Sequence, residues 1–479
     1  MKDKFAYIPK DERKKILLLC DDLRMHSGIA TMAREFVIGS AQHFNWFQLG
    51  AAVQHNEKGK VLDLSDDINK QTGLEDSDVK IMPNNGYGDA QLVRALIKNE
   101  KPDAIFIFTD PRYWVWLFEI EREIRSSIPI VWLNIWDDYP APIYNKHYYN
   151  SVDALLAISQ QTKVINEIVL GEDYKNKVSE YVPHGINTDI FKPLDKTSEE
   201  YTNFRNEVLG GKDYKYVVYF NSRNIHRKRP GDVLLSYRLF CDKIGKEKAK
   251  ECVLIMHTAA RDPHGTDLRA VKEALCDPSY VNVLFSEQRI NPAQMNGMYN
   301  IADVTMLISS NEGWGLSLTE SMVTGTMIIP AVTGGMQDQC RFEDENGDWV
   351  KLSPEFPSNH RGTYKKCGEW AVPVFPSNIS LAGSVPTPYI FDDRVSAEDV
   401  ADALVEVYNL PKEERERRGE KGRQWATSEE AGFTGKEMSK SIIKYIDKTI
   451  DNFVPRSKFD IVKADTRPSK YVEHKLTGY

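Results

Sequence analysis

Short apolar runs recur along the chain, spaced widely enough to leave room for a helix between successive runs. In the first half they occupy residues 16–20, 104–108, 128–135 and 154–158. Continuous runs of this length, without polar alternation, are the pattern of strands buried on both faces, as in a parallel sheet covered by helices. The pattern begins again at 216–220, 252–256, 281–285, 304–308 and 327–329, with helical stretches such as 232–244 between. Strand and helix alternating in both halves predict an α/β protein of two doubly wound, Rossmann-like domains facing a cleft. Apolar periodicity lapses in the charged stretch 192–215, where the boundary and a linker at the cleft mouth are expected. Beyond Ser396 the pattern turns helical, at 397–408, 413–425 and 435–453. This divides the chain into an N-terminal domain 1–192, a C-terminal domain 193–430, and a C-terminal helix and tail 431–479 expected to pack back on the first domain.

Length agrees with two large lobes, since 479 residues exceed what one core holds and a domain usually takes roughly 100–200. Hydrophobic residues at 41% and charged residues at 28% are the balance of an ordinary globular protein. No apolar stretch approaches the ~20 residues that span a bilayer, and the start, MKDKFAYIPKDERKK, lacks the apolar core of a signal peptide, so the expected location is cytoplasmic. The six cysteines are scattered without metal-ligand spacing, which predicts free thiols and no metal site. A formal net charge of −8 argues against a surface coated for indiscriminate nucleic-acid binding. Two local basic clusters remain: Arg223 with Arg227, Lys228 and Arg229, and the segment from Pro455, where six Lys or Arg outnumber three acids.

Ligands of open α/β sheets bind beyond the carboxyl ends of the strands, so the loops at 21–28, 221–230 and 309–318 are the ones to inspect. The last reads Ser309-Ser310-Asn311-Glu312-Gly313-Trp314-Gly315-Leu316-Ser317-Leu318-Thr319-Glu320, follows a strand and opens a helix. Gly313 and Gly315 let the backbone approach a ligand, and the N–H groups near Leu316 and Ser317, backed by the helix dipole, suit a diphosphate. The second loop places Arg223 and Lys228 at a strand end, where fixed cations can offset charge on a departing phosphate. In the first domain, Gly28 lies between a strand and a helix.

These residues resemble glycosyltransferase family 4, retaining enzymes of the GT-B type, whose hallmark is Glu, seven residues, Glu within an EGFGL-like segment. Glu312 and Glu320 have that spacing. The resemblance implies that Glu312 binds the donor sugar's hydroxyls, that Glu320 binds the ribose, and that Arg223 and Lys228 clamp the pyrophosphate without a metal or other cofactor. The donor is then a UDP-, GDP- or ADP-sugar, cradled by Gly313, Trp314, Gly315, Leu316 and Ser317, with Gly28 approaching from the first domain. Gln288 and Arg289 fall where the family pairs backbone with the nucleobase. Ser222 stands where glycine is usual before the arginine, and Thr333-Gly334-Gly335 matches the family's paired-glycine turn. The segment 336–389 after it is longer than the usual connection and reads as an inserted loop.

The acceptor side departs from the pattern. Many relatives carry a histidine after the strand at 128–135, whereas this chain has Trp136-Asp137-Asp138-Tyr139. Trp136, Asp137, Asp138 and His184 are the acceptor-side candidates, and Tyr113, Trp114 and Trp136 have rings suited to stacking on a sugar or a base. The leading acceptor is a saccharide or glycoconjugate. A hydroxymethylated DNA base, as in some bacteriophage transferases, is the alternative that basic clusters and loop aromatics would serve. A sugar-nucleotide-binding protein without turnover is the alternative of another class.

Overall fold

The computed structural model of the protein describes residues 7–52, 54–457 and 459. The first seven strands are β1 (Lys14–Asp21), β2 (Phe44–Ala51), β3 (Leu62–Asp63), β4 (Val79–Pro83), β5 (Ala104–Phe108), β6 (Ile130–Asn134) and β7 (Ala154–Ala157). They form one sheet in the order β3-β4-β2-β1-β5-β6-β7, parallel throughout except for the short β3. A second, wholly parallel sheet has the order β10-β9-β8-β11-β12, from β8 (Tyr216–Asn221), β9 (Cys252–His257), β10 (Val283–Ser286), β11 (Val304–Leu307) and β12 (Met327–Pro330). Both are doubly wound, as the alternating pattern predicts. The strand order reverses between β1 and β5 in one sheet and between β8 and β11 in the other, which makes those strand ends the two topological switch points.

Nine strands lie where apolar runs predict them, whereas β2, β4 and the short β3 fall outside those runs. β2 is buried along its whole length yet carries Asn45 and Gln48. Gln48 donates to the Asp21 carbonyl (2.8 Å) and accepts from Leu23 N (3.1 Å), so it fastens the turn leaving β1 from inside the core. The charged stretch 192–215, where the linker is expected, is partly helical. It contains the helix Glu199–Val208, capped by Ser198, and Phe204 fills the space beside Gly297 on the helix Pro292–Ile301. The chain docks on the second domain at Lys192 and Leu194, whose N–H groups donate to Asn296 (3.0 Å) and Asn300 (2.8 Å).

The inserted segment is structured as well. It opens with the short helix Met336–Cys340, runs beside β12 through bridges at Ala371 and Val374, and ends in an antiparallel hairpin of β13 (Asn378–Ser384) and β14 (Thr387–Arg394).

The helices Ala397–Asn409 and Lys412–Ala426 then cover the second sheet, and Gly435–Asp451 crosses to lie on the helix Gly28–Ser40 of the first. His43 Nε2 sits 2.7 Å from Asp447, and Ile186 exchanges backbone hydrogen bonds with Phe433 and Gly435 (2.9 Å each) at the crossing. The basic segment that begins at Pro455 lies, beyond residue 459, outside the described residues.

A β-carbon at Gly185 would fall on the backbone of Thr434 and Gly435, where the crossing segment passes, whereas Gly231 has open space around it. Gly185→Ala is therefore expected to cost about 1–3 kcal/mol, as overpacking does. Gly231→Ala should be neutral or slightly stabilising, and chemical denaturation of the two variants side by side checks the pair.

Candidate functional site

The loops after β8 and β11 flank the second switch point, and they are tied to each other. Ser310 N donates to the Arg227 carbonyl (2.7 Å), Arg229 Nε to Ser310 Oγ (2.5 Å), and Arg227 Nη1 to the Asn311 carbonyl (2.9 Å). At the centre, the buried ammonium of Lys228 pairs with the Glu312 carboxylate. Burial, with Arg227 close by, pushes the Lys228 amine well below its usual range, while the Asp137 carboxylate works the other way.

Backbone geometry places Glu312. The Gly334-Gly335 turn lies directly beneath its loop: a β-carbon on Gly334 would strike the Glu312 carbonyl, and one on Gly335 the Gly313 carbonyl and Trp314 Cα. Gly335 N donates to the Glu312 carbonyl (3.0 Å). Gly315 has φ of 89°, a left-handed conformation that releases the chain into the helix Leu316–Val323. The first N–H groups of that helix have no carbonyl partner within it.

The first domain approaches the same point. Ser27 caps the helix Gly28–Ser40 by accepting from Ala30 N (3.0 Å), and its hydroxyl donates to Asp21 (2.8 Å). Gly28 at that helix start faces Leu316, so that a β-carbon added to it would lie 3.4 Å from the leucine Cδ1. Gly313 in turn faces Ile158 and the Ile135 carbonyl. Two helix starts and two glycine loops thus meet across the cleft.

Glu320 lies further along the helix Leu316–Val323, where its carboxylate accepts from Tyr299 Oη (2.5 Å), which in turn accepts from Asn221 (2.8 Å). Burial pushes the Glu320 carboxyl up to about 7, against the hydrogen bond from Tyr299.

Other candidates lie apart from this cluster. Arg223 is 63% exposed at its side chain and pairs with Asp262 (3.2 Å) rather than with Glu312. Gln288 and Arg289 are exposed beyond β10, two strands from β8. The ring of Trp314 is turned into the core, its indole N–H donating to Thr319 (3.0 Å).

Of the residues expected on the acceptor side, Trp136 is 7% exposed and donates to the Asp138 carbonyl (3.0 Å), while Gln161 and Thr162 at a helix start hold the carbonyls of Asp137 (2.6 Å) and Trp136 (2.7 Å). Burial, with Asp137 alongside, pushes the Asp138 carboxyl well above the usual range. His184 is buried between Phe108 and Trp314, and burial lowers it to about 3, so it is neutral. The stacking role expected of Trp114 does not hold, because its side chain is wholly buried in the first domain's core. Tyr113 is exposed and stacks on Tyr87 at 4.1 Å.

Asp262, Tyr299, Asn311 and Asp392 are polar partners to which motif spacing assigns no role. Asp392 comes from the hairpin, accepting from Arg229 (3.0 Å) and Asn311 (3.3 Å). Among the described residues no group of three or more His, Cys, Asp or Glu is arranged to hold a metal ion.

No protein-family model matches the chain, and no curated protein matches it significantly by sequence. Solved structures do. The chain is similar to Anabaena HepE in complex with UDP and glucose (13% identity, TM-score 0.61, covering 91% of this chain and 100% of that one). It is similar to sucrose-phosphate synthase from Thermosynechococcus elongatus (13%, TM-score 0.62, 92% and 100%) and to a glycosyltransferase from Rickettsia africae (16%, TM-score 0.61, 92% and 100%). At these identities the likeness concerns the fold, and the fold is GT-B: two Rossmann-like domains facing a cleft.

A carboxyl raised by folding binds its proton more tightly in the native state. Glu320 therefore contributes most to stability below its ordinary value of 4.5, and that contribution is lost as pH rises to about 7. Relative to wild type, Glu320→Gln should grow more stable between about pH 5 and about pH 8. Urea denaturation at both pH values reads the difference, and a pH-independent gap would show that Glu320 ionises normally.

Proposed function

We propose that the protein is a retaining glycosyltransferase that moves a sugar from a nucleotide-sugar donor to an acceptor hydroxyl. The observation that carries this reading is the Lys228–Glu312 pair, set at the switch point beside the start of the helix Leu316–Val323 and opposite Gly28. The glycosyltransferase resemblance of the Glu312 to Glu320 segment, and a fold shared with structures holding UDP and glucose, support it.

In this reading the pyrophosphate lies between Lys228 and the N–H groups at Leu316 and Ser317, where an ammonium and a helix dipole offset the charge that develops on the leaving group. Glu312, held by Lys228, accepts hydrogen bonds from the donor sugar. Glu320, further along the same helix, accepts from the ribose when ionised. The acceptor hydroxyl enters on the face the pyrophosphate leaves, and the departing phosphate oxygen takes its proton. The protein then supplies position and charge rather than a nucleophile. Arg223 joins the phosphate clamp only by leaving Asp262, so Lys228 is the principal cation. Donor hydrolysis by water competes with transfer, and the close approach of the two domains around Gly28 and Gly313 restricts it.

The saccharide or glycoconjugate acceptor is favoured over DNA by the fate of the basic cluster. Arg223, Arg227, Lys228 and Arg229 each pair with a carboxylate of this chain, so they do not present a free cationic track to a phosphate backbone.

Screening UDP-, GDP- and ADP-sugars at about a millimolar by thermal shift and nucleotide release tests the reading. One donor should stabilise the protein and be turned over slowly. Lys228→Ala and Glu312→Ala should each lower turnover by about a hundredfold or more while circular dichroism stays native. Wild-type turnover in either variant would refute the site, and tight donor binding without release would favour a binding protein.

A further inference from the structure

We propose that the β13–β14 hairpin is a wall of the acceptor subsite, and that this subsite selects an uncharged, polyhydroxylated acceptor against a phosphorylated one. The proposal rests on the glycosyltransferase reading above and adds the acceptor's chemical class.

The hairpin belongs to the second domain by sequence, yet it reaches the first. Phe391 N donates to the Tyr139 carbonyl (2.6 Å), Tyr144 and Tyr389 pack edge to face at 5.0 Å, and Tyr389 Oη donates to the Ala141 carbonyl (3.4 Å). Its end is also pinned to the loops around Lys228. Asp393 N donates to the Ser310 carbonyl (3.1 Å), Thr333 to the Asp393 carboxylate (2.6 Å), and Asp392 accepts from Arg229 and Asn311. A strap that touches both domains and the donor loops at once is placed to shape what lies between them.

What lies between them is a cavity of about 450 Å³, within the span of roughly 300–1,000 Å³ usual for small-molecule sites. Its floor is the loop after β5, at Asp110 and Arg112, and the loop after β6, at Trp136 to Asp138. Arg227 and Asn311, neighbours of the Lys228–Glu312 pair, close one side, and hairpin residues from Ala382 to Asp392 close the other. A hydroxyl held here faces the donor loops.

Charge decides the class. Four carboxyl groups line the cavity, at Asp110, Asp137, Asp138 and Asp392, against two guanidiniums. Both guanidiniums are engaged: Arg112 binds Asp110 through two nitrogens (2.9 and 2.7 Å), and Arg227 binds the Asn311 carbonyl and Glu312. Asp392 is balanced by Arg229. That leaves the adjacent Asp137 and Asp138, and burial, with Asp137 alongside, pushes the buried Asp138 carboxyl well above the usual range. Carboxyl oxygens on this wall accept hydrogen bonds from sugar hydroxyls, whereas a phosphate dianion meets four carboxyl groups and finds no uncommitted cation among the lining residues.

The test uses the full chain with whichever donor it binds. Nucleotide release is measured alone and with D-glucose, D-fructose or maltose, and with D-glucose 6-phosphate or D-fructose 6-phosphate. Acceleration by a neutral sugar, with none from the phosphates, is the expected result. Equal or greater acceleration by a sugar phosphate, or acceleration only by DNA containing hydroxymethylated bases, would overturn it, as would donor turnover that no neutral sugar accelerates. Failure to bind any donor removes the glycosyltransferase reading itself and is seen in the donor screen alone.

Ala382→Trp, at an exposed position on the hairpin, should raise the KM for the accelerating sugar about tenfold, with donor KM changed by less than about twofold. Equal change in both constants would mean that the hairpin supports the fold around the site and does not wall the acceptor. Asp137→Asn should narrow the margin between glucose and glucose 6-phosphate, and an unchanged margin would remove charge as the selector.

Discussion

A lysine ammonium buried in the loop that follows a central strand has to be paired, and much of this molecule follows from that requirement. Desolvating an unpaired ammonium costs several kcal/mol even after relaxation. Lys228 meets the cost with Glu312, which draws the loop after β11 against the loop after β8. Around that pair, Ser310, Asn311 and the Arg227 carbonyl close the gap between loops, so the pair is framed by backbone hydrogen bonds on either side. The turn beneath must then be side-chain-free, and Gly334 and Gly335 are the residues that allow it. The ion pair, the paired glycines and the left-handed Gly315 are one structural solution rather than three separate features.

The same network explains why the two lobes are joined where they are. Arg229 and Asn311 extend the pair outward to Asp392, and the hairpin carries the connection on to Tyr139 and Ala141 of the first domain. On the opposite flank, Gly28 against Leu316 and Gly313 against Ile158 let the domains close through the absence of side chains. The C-terminal helix Gly435–Asp451 adds a third tie far from the cleft, through Gly39 against Ser439 and His43 against Asp447. Polar straps at the candidate site and tight packing behind it divide the work: the latter holds the domains together, and the former set what is exposed between them.

Most of the fold is legible in the sequence because buried parallel strands are written as apolar runs, and nine of the twelve sheet strands carry one. β2 escapes because Gln48 and Asn45 interrupt its run, and they are there to serve neighbouring backbone, a purpose that no periodicity encodes. The hairpin escapes for the opposite reason. It buries little, with Leu381 on β13 67% and Val385 in the turn 99% exposed, so ladder and cross-domain hydrogen bonds hold it and not an apolar face. At the candidate site, Lys228, Glu312 and the glycines can be placed from spacing because a strand end and a helix start fix their geometry. The Asp262 partner of Arg223 cannot, since it comes from a separate loop after β9 and nothing local links the two.

That contrast bears on how such a molecule acquires specificity. The half of the cleft proposed for the donor depends on main-chain approach, where a glycine or a helix start admits few substitutes, so spacing in the sequence points to it. The cavity proposed for the acceptor is assembled from five separate segments: two loops of the first domain, the hairpin, and Arg227 and Asn311 from the loops after β8 and β11. Asp392 and Asp393 of the hairpin, with Arg227 and Asn311, tie this cavity to the loops around Lys228 and Glu312, whereas Ala382 to Ser384 make no such contact. In the proposed reading, a wall fastened to both domains at Tyr389 to Asp393, with exposed residues at Ala382 to Ser384 free in composition, lets one frame serve acceptors of different charge. In this chain the composition is acidic, and the cations that could balance it are already committed to partners within the protein.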